Sequence, residues 1–187
     1  MPFDPNAYGP LVSELLALDG NGLRPMPLLA SECSSATAAT RLQAIDAKKQ
    51  WPKSRNPKAA LSGLWVYFCD FEEAHSIAQD LKNDEGSYWH AILHRMEPDP
   101  GNAGYWFRQV GDKHPIFGDV ARAASEILRQ IPEAEFRCSP SKWDPYAFVA
   151  FCERARSQPG SASEIAARQI QLAEWQALFD YCVRPRK

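Results

Sequence analysis

Residues 58–97 read KAALSGLWVYFCDFEEAHSIAQDLKNDEGSYWHAILHRME and contain no proline. Apolar residues recur at helical spacing throughout, and no run alternates apolar and polar as a half-buried strand would. The spacing predicts three helices: 58–69 (KAALSGLWVYFC), 71–82 (FEEAHSIAQDLK) and 86–97 (GSYWHAILHRME). Only Asp70 marks the first break, whereas KNDEG supplies the Asn, Asp and Gly of a turn at the second. The stretch reads as all-α.

On either side, prolines punctuate the chain, because each removes a backbone donor and crowds the turn before it. Toward the N-terminus, a short helix begins near Pro10, with Leu11, Leu15, Leu16 and Leu18 on its apolar side. Residues 20–34 read as an extended connector. A helix is then expected from Ala36 to about Lys48, capped by Ser34 or Ser35, with Leu42 and Ile45 inward. The following KKQWPKSRNPK reads as a basic loop.

Toward the C-terminus, Asn102 is placed to cap a helix over AGYWFRQV, which Gly111 ends. Pro115 opens another, with Phe117, Val120, Ala124, Ile127, Leu128 and Ile131 at 3-and-4 spacing. Asp144-Pro145 starts a further helix carrying Phe148, Phe151 and Ala155. Ser161 and Glu164 form a capping box for the last one, whose stripe is Ile165, Leu172, Trp175, Phe179 and Cys182. The expectation is one domain over residues 1–187, of seven to nine helices in hairpin or bundle form. Residues 56–118 hold its histidine and aromatic segment. The RPRK tail is expected to fray.

Composition narrows the function. The 187 residues are 45% apolar and 11% aromatic, enough for a substantial core. Lys and Arg number 21 against 23 Asp and Glu, a balance unlike that of a protein that coats nucleic acid. The basic run Lys48, Lys49, Lys53, Arg55 and Lys58, interrupted by Trp51, therefore reads as a solvated loop, and nucleic acid is not an expected partner. Five dispersed cysteines without a CxxC pair argue against a disulfide scaffold and fit a reducing cytoplasm. MPFDPNAYGP lacks the basic and apolar regions of a secretory signal, and no apolar run suits a membrane span. A cytoplasmic location is expected; a homo-oligomer remains compatible.

All four histidines fall between His75 and His114. His90 and His94 stand at i, i+4, on one helix face, where a single ion can bridge them. Glu97 extends that stripe, and the preceding helix carries Glu72, His75 and Gln79. Folding the two helices back about a turn midway between Asp84 and Glu85 brings Glu72 level with Glu97, His75 with His94, and Gln79 with His90. This pattern nominates His75, His90 and His94 as ligands of one divalent ion, Zn, Fe or Mn. Glu72 and Glu97 are the candidate catalytic carboxylates, and metal-dependent hydrolysis is the reaction class. Ala91 stands where an HExxH zincin carries its glutamate, which argues against that class. Trp89, Arg95, Asn102, Trp106 and Arg108 are candidate substrate-binding residues. Each also has a plainer reading: rings as core, Asn102 as a cap, and Arg95 paired with Asp99 at i, i+4. His114, before Pro115, is a further ligand or a turn residue.

The run EGSYWHAILHRMEPDPGNAGYWFRQVGDKHPIF resembles a family of small uncharacterised proteins with similar WHAI-HR, NA-YWF and G-HP runs. The likeness runs from Leu61 to Phe117, about a third of the chain, with that run as its core. It supports the position of the site and brings no activity with it. A looser resemblance is to tetratricopeptide repeats, with Leu61, Ser62, Trp65 and Ala74 acceptable in that frame. Lys58, Ala78 and Gly86 depart from it, and no second copy follows. That resemblance implies a helical hairpin and an alternative function: a non-enzymatic scaffold binding a peptide or protein through the Tyr88–Phe107 aromatic region.

Overall fold

In a computed structural model, residues 3–185 are described. The last two residues of the RPRK tail lie outside them. Among the described residues there are ten α-helices and no strand. In chain order they are α1 (Pro10–Ala17), α2 (Ala36–Gln43), α3 (Ala47–Gln50), α4 (Pro57–Tyr67), α5 (Phe71–Asp80), α6 (Asp84–Met96), α7 (Pro100–Val110), α8 (Phe117–Gln130), α9 (Pro145–Arg156) and α10 (Ala162–Val183). The all-α expectation holds, with one short helix beyond the seven to nine anticipated.

That extra helix comes from Asp46. Its carboxylate accepts hydrogen bonds from the Lys48 and Lys49 N–H groups and so starts the single turn α3. The helix expected to reach Lys48 therefore stops at Gln43, and part of the basic loop is helical. A short polar side chain that can cap a new helix competes with continuing the old one. At α7 the cap is Asp99, which accepts from the Asn102 N–H at 3.0 Å, with Pro100 in the first turn. Asn102 is thus inside the helix, not its cap. The Asp-Pro signal here is the same one that opens α9. Pro115 does not begin α8 either; the chain first turns from His114 to Phe117, and the helix starts there.

The break between α4 and α5 rests on more than Asp70. Cys69 adopts a left-handed φ of 62°. Its N–H bonds to Val66 C=O, and the Asp70 N–H reaches back to Trp65 C=O. These two bonds satisfy the last carbonyls of α4 in a Schellman arrangement, usually built on glycine. Asp70 then caps α5.

The core lies between α4, α6 and the 22-residue α10, which at 1.5 Å per residue is about 33 Å long. Gly63 on α4 lets α6 approach closely: a Cβ there would lie 2.6 Å from the Trp89 ring. The Trp175 indole N–H of α10 donates to Gly63 C=O at 2.6 Å. The 20–34 connector, with a 3₁₀ turn at Gly20–Gly22, runs over α10 through Gln176 to Gly22 C=O and Gln171 to Pro27 C=O.

Through this core runs a buried ion pair. Arg95 of α6 meets Glu174 of α10 at 2.5 Å, with side chains 1% and 0% exposed. The Tyr88 hydroxyl donates to the other Glu174 oxygen at 2.8 Å, and Arg95 Nε donates to Gln171 at 3.1 Å. The Arg95 guanidinium also lies over the Phe148 ring. Removing one partner strands a desolvated charge. Glu174→Ala or Arg95→Ala should each cost about 3–5 kcal/mol in urea unfolding, and the double variant clearly less than the sum.

Candidate metal centre

The site stands on the α5–α6 hairpin and on α7. Only Leu81–Asn83 separate α5 from α6, and the Asn83 side chain caps α6 by accepting from the Gly86 N–H at 2.9 Å. Gly86 is required by the closeness of the turn, because a Cβ on it would lie 2.3 Å from Leu81 Cβ. The turn therefore centres on Lys82, and the residues read as its second half belong to the first turn of α6. Shifting the fold point brings His75 level with Trp89 and His90 rather than with His94. Glu72 comes level with Ile92 instead of Glu97.

The three nominated histidines come together. His75 Nε2 and His90 Nε2 are 2.8 Å apart, with the rings edge to face at 4.4 Å between centroids. The His94 ring stacks on His90 at 4.8 Å and stands perpendicular to His75 at 5.6 Å. One ring nitrogen from each residue can be chosen so that all three lie within 4.8 Å of one another. On its other face, His90 is stacked by the Trp106 indole at 4.0 Å. The Trp106–His90–His94 stack fixes the plane of the central imidazole, and only 4% of His90 is exposed.

Electrostatics favour the neutral form of two members of this cluster, His90 and His94. Burial, then repulsion from His75 and His94, pushes the His90 pKa down to about 3. His94 is also lowered, by burial first, against the opposing pull of Glu97. Neutral imidazoles are the form that ligates metal. Glu97 Oε2 approaches His94 Nδ1 at 3.1 Å, close in distance but off the direction of a hydrogen bond. His90 Nδ1 is buried and has no partner among the described residues.

The donors are of a kind that ligates metal, but their spacing must change to close around an ion. Tetrahedral zinc with Zn–N bonds of about 2.0–2.1 Å needs ligand nitrogens about 3.3 Å apart. The His75–His90 pair must open by roughly half an ångström, and the longest edge must close. The arrangement offers three imidazole nitrogen donors within 4.8 Å of one another.

Other nominated residues are placed differently. Glu72 is exposed, as is Gln79, and among the described residues neither bonds to the cluster. Arg95 faces away from it into the core, paired with Glu174 rather than with Asp99. Trp89 is fully buried against Gly63, so it walls no ligand space. Asn102 is exposed and bonded to Asp99. Arg108 lines a different cavity, described below. Of the five proposed substrate contacts, only Trp106 adjoins the histidines. Tyr88 and Phe107 are fully buried too, which leaves little of the aromatic segment as a surface. The Arg95–Glu174 pair had no local signal, since its partners lie 79 residues apart.

His114 is not part of the cluster. It is buried among Tyr88, Phe117 and Tyr181, and its Nε2 has no partner. Burial, then the nearby Arg55 charge, lowers its pKa to about 4. Among the described residues no helix is long and apolar enough to cross a membrane. Compared with protein-family models, curated proteins and solved structures, the chain matches none.

The buried histidines set an acid limit. Their folded pKa values lie below the ordinary 6.5, so the unfolded chain takes up protons that the folded one refuses. Stability is complete above about pH 6.5 and declines as the pH falls toward 4. His114 alone should account for about 2 kcal/mol between pH 7 and pH 5. Urea midpoints measured with chelator present should show this slope, and His114→Gln should reduce it by the His114 share while leaving that of His90.

Proposed function

We propose that this protein binds one divalent transition-metal ion through His75, His90 and His94, and that it serves metal-dependent hydrolysis. The observation that carries the reading is the convergence of three imidazoles from two helices within 4.8 Å, two of them depressed in pKa. Among the candidate ions, three nitrogen donors suit zinc or iron better than manganese, which favours oxygen. Once bound, such an ion supplies a Lewis acid and lowers the pKa of a coordinated water toward 7.

The chain's own residues divide the remaining work. Trp106 holds the His90 plane and excludes water from one side. Glu97 stands beside His94 Nδ1, where a carboxylate orients a ligating histidine and raises its basicity. That position suits a residue that positions His94, beside the further-ligand and base roles that spacing offers Glu97. Glu72, out on the surface of α5, has no place in the reaction.

Elemental analysis of protein purified without a histidine tag tests the reading. One Zn or Fe per chain is expected in the wild type, and His90→Ala/His94→Ala should lose it while remaining folded. Titration with Co²⁺ should quench tryptophan fluorescence, and Trp106→Phe should remove most of the quench. A wild type that stays metal-free after incubation with Zn, Fe and Mn overturns the proposal.

A further inference from the structure

A cavity lies beside α7, next to Arg108 rather than Trp106. The C-terminal turn of α7, the start of α8 and the segment 141–146 that leads into α9 border an open cavity of about 550 Å³. That volume falls within the roughly 300–1,000 Å³ typical of small-molecule sites. Its apolar walls are aromatic: Phe117 and Trp143 are buried, and Tyr146 is half-exposed at the mouth.

Charge defines what the walls can hold. Arg108 and Lys142 line the cavity, and among the described residues neither pairs with a carboxylate. Asp112 and Asp144 line it too. Asp144 is occupied in capping α9, accepting from the Tyr146 and Ala147 N–H groups at 3.0 Å each. Asp112 shares the lining with the two cations and forms no ion pair among the described residues. Gly118, in the first turn of α8, adds backbone with no side-chain cap over it, at the positive end of a 14-residue helix.

A larger hollow of about 710 Å³, beside Arg122, Arg129 and Arg137, makes a useful contrast. There the guanidinium groups are already engaged, Arg122 by Asp119, Arg129 by Glu126, and Arg137 by the carbonyls of Ala134 and Phe136. The cavity at α7 instead combines aromatic faces with two cations free of carboxylate partners among the described residues, although the Arg108 guanidinium lies 5.8 Å from the Tyr105 ring centroid.

We propose that this cavity binds a small organic anion with a planar ring, the ring lying against Trp143 and Tyr146 and the anionic group between Arg108 and Lys142. The ligand class is an aromatic carboxylate or an aryl phosphate ester. This site needs no metal and is independent of the histidine cluster.

Isothermal titration calorimetry of the full chain with naphthoate, naphthyl phosphate and neutral naphthalenemethanol tests it. One anion should bind at one site at least about tenfold more tightly than the neutral isostere, as two charge-assisted contacts allow. The tighter of the two anions identifies the ligand class. Arg108→Gln/Lys142→Gln changes two exposed residues, so folding should persist; the anion should lose about tenfold in affinity and the neutral probe nothing. Equal binding of anion and isostere, no binding by the wild type, or an anion affinity unchanged in the double variant each overturns the proposal.

Discussion

The contact between Arg95 and Glu174 constrains the rest of the molecule. Both charges are wholly withdrawn from water, at a desolvation cost that only close geometry and added hydrogen bonds offset. Tyr88, Gln171 and the Phe148 ring provide those additional interactions. The result ties α6 to α10 at one register and one rotation. Arg95 is one residue beyond His94, about 100° further round the helix. With Arg95 pointing at α10, the His90 and His94 face must turn aside, toward α5 and α7. The histidine cluster is oriented by an ion pair that it does not touch.

The α5–α6 turn supplies the second constraint. A three-residue connection held by the Asn83 cap and the bare Gly86 backbone leaves no freedom of register. His75 therefore arrives opposite His90, and the Trp106 ring closes the other side. Packing three imidazoles this tightly is tolerable because burial and mutual repulsion keep His90 uncharged at neutral pH. A polar cluster of this kind adds little to stability, and His90 Nδ1 is left without a partner.

Helix α7 separates the histidine cluster from the aromatic cavity. Trp106 leans on His90, while Arg108 belongs to the aromatic cavity beside α9. Residues two apart on a helix point about 200° apart, so adjacent letters in one aromatic run serve opposite sides. The reading of the Trp89–Arg108 segment as a single pocket fails for this reason.

The amino-acid sequence by itself determined the all-α class, most helix positions, and the His90/His94 pair, because periodicity and capping are local properties. It also nominated His75, since helices of known length folded about a short turn can be brought level. Tertiary structure decided everything that depends on which face turns inward. The turn centre moved by two to three residues, exchanging His94 for His90 as the near neighbour of His75 and separating Glu72 from Glu97. Asp99 took the cap expected of Asn102, and Asp46 divided one helix into two. Arg95 found Glu174 across 79 residues, a pairing that no local spacing encodes. Helical spacing states which side chains share a face; only packing of the whole chain states what that face meets.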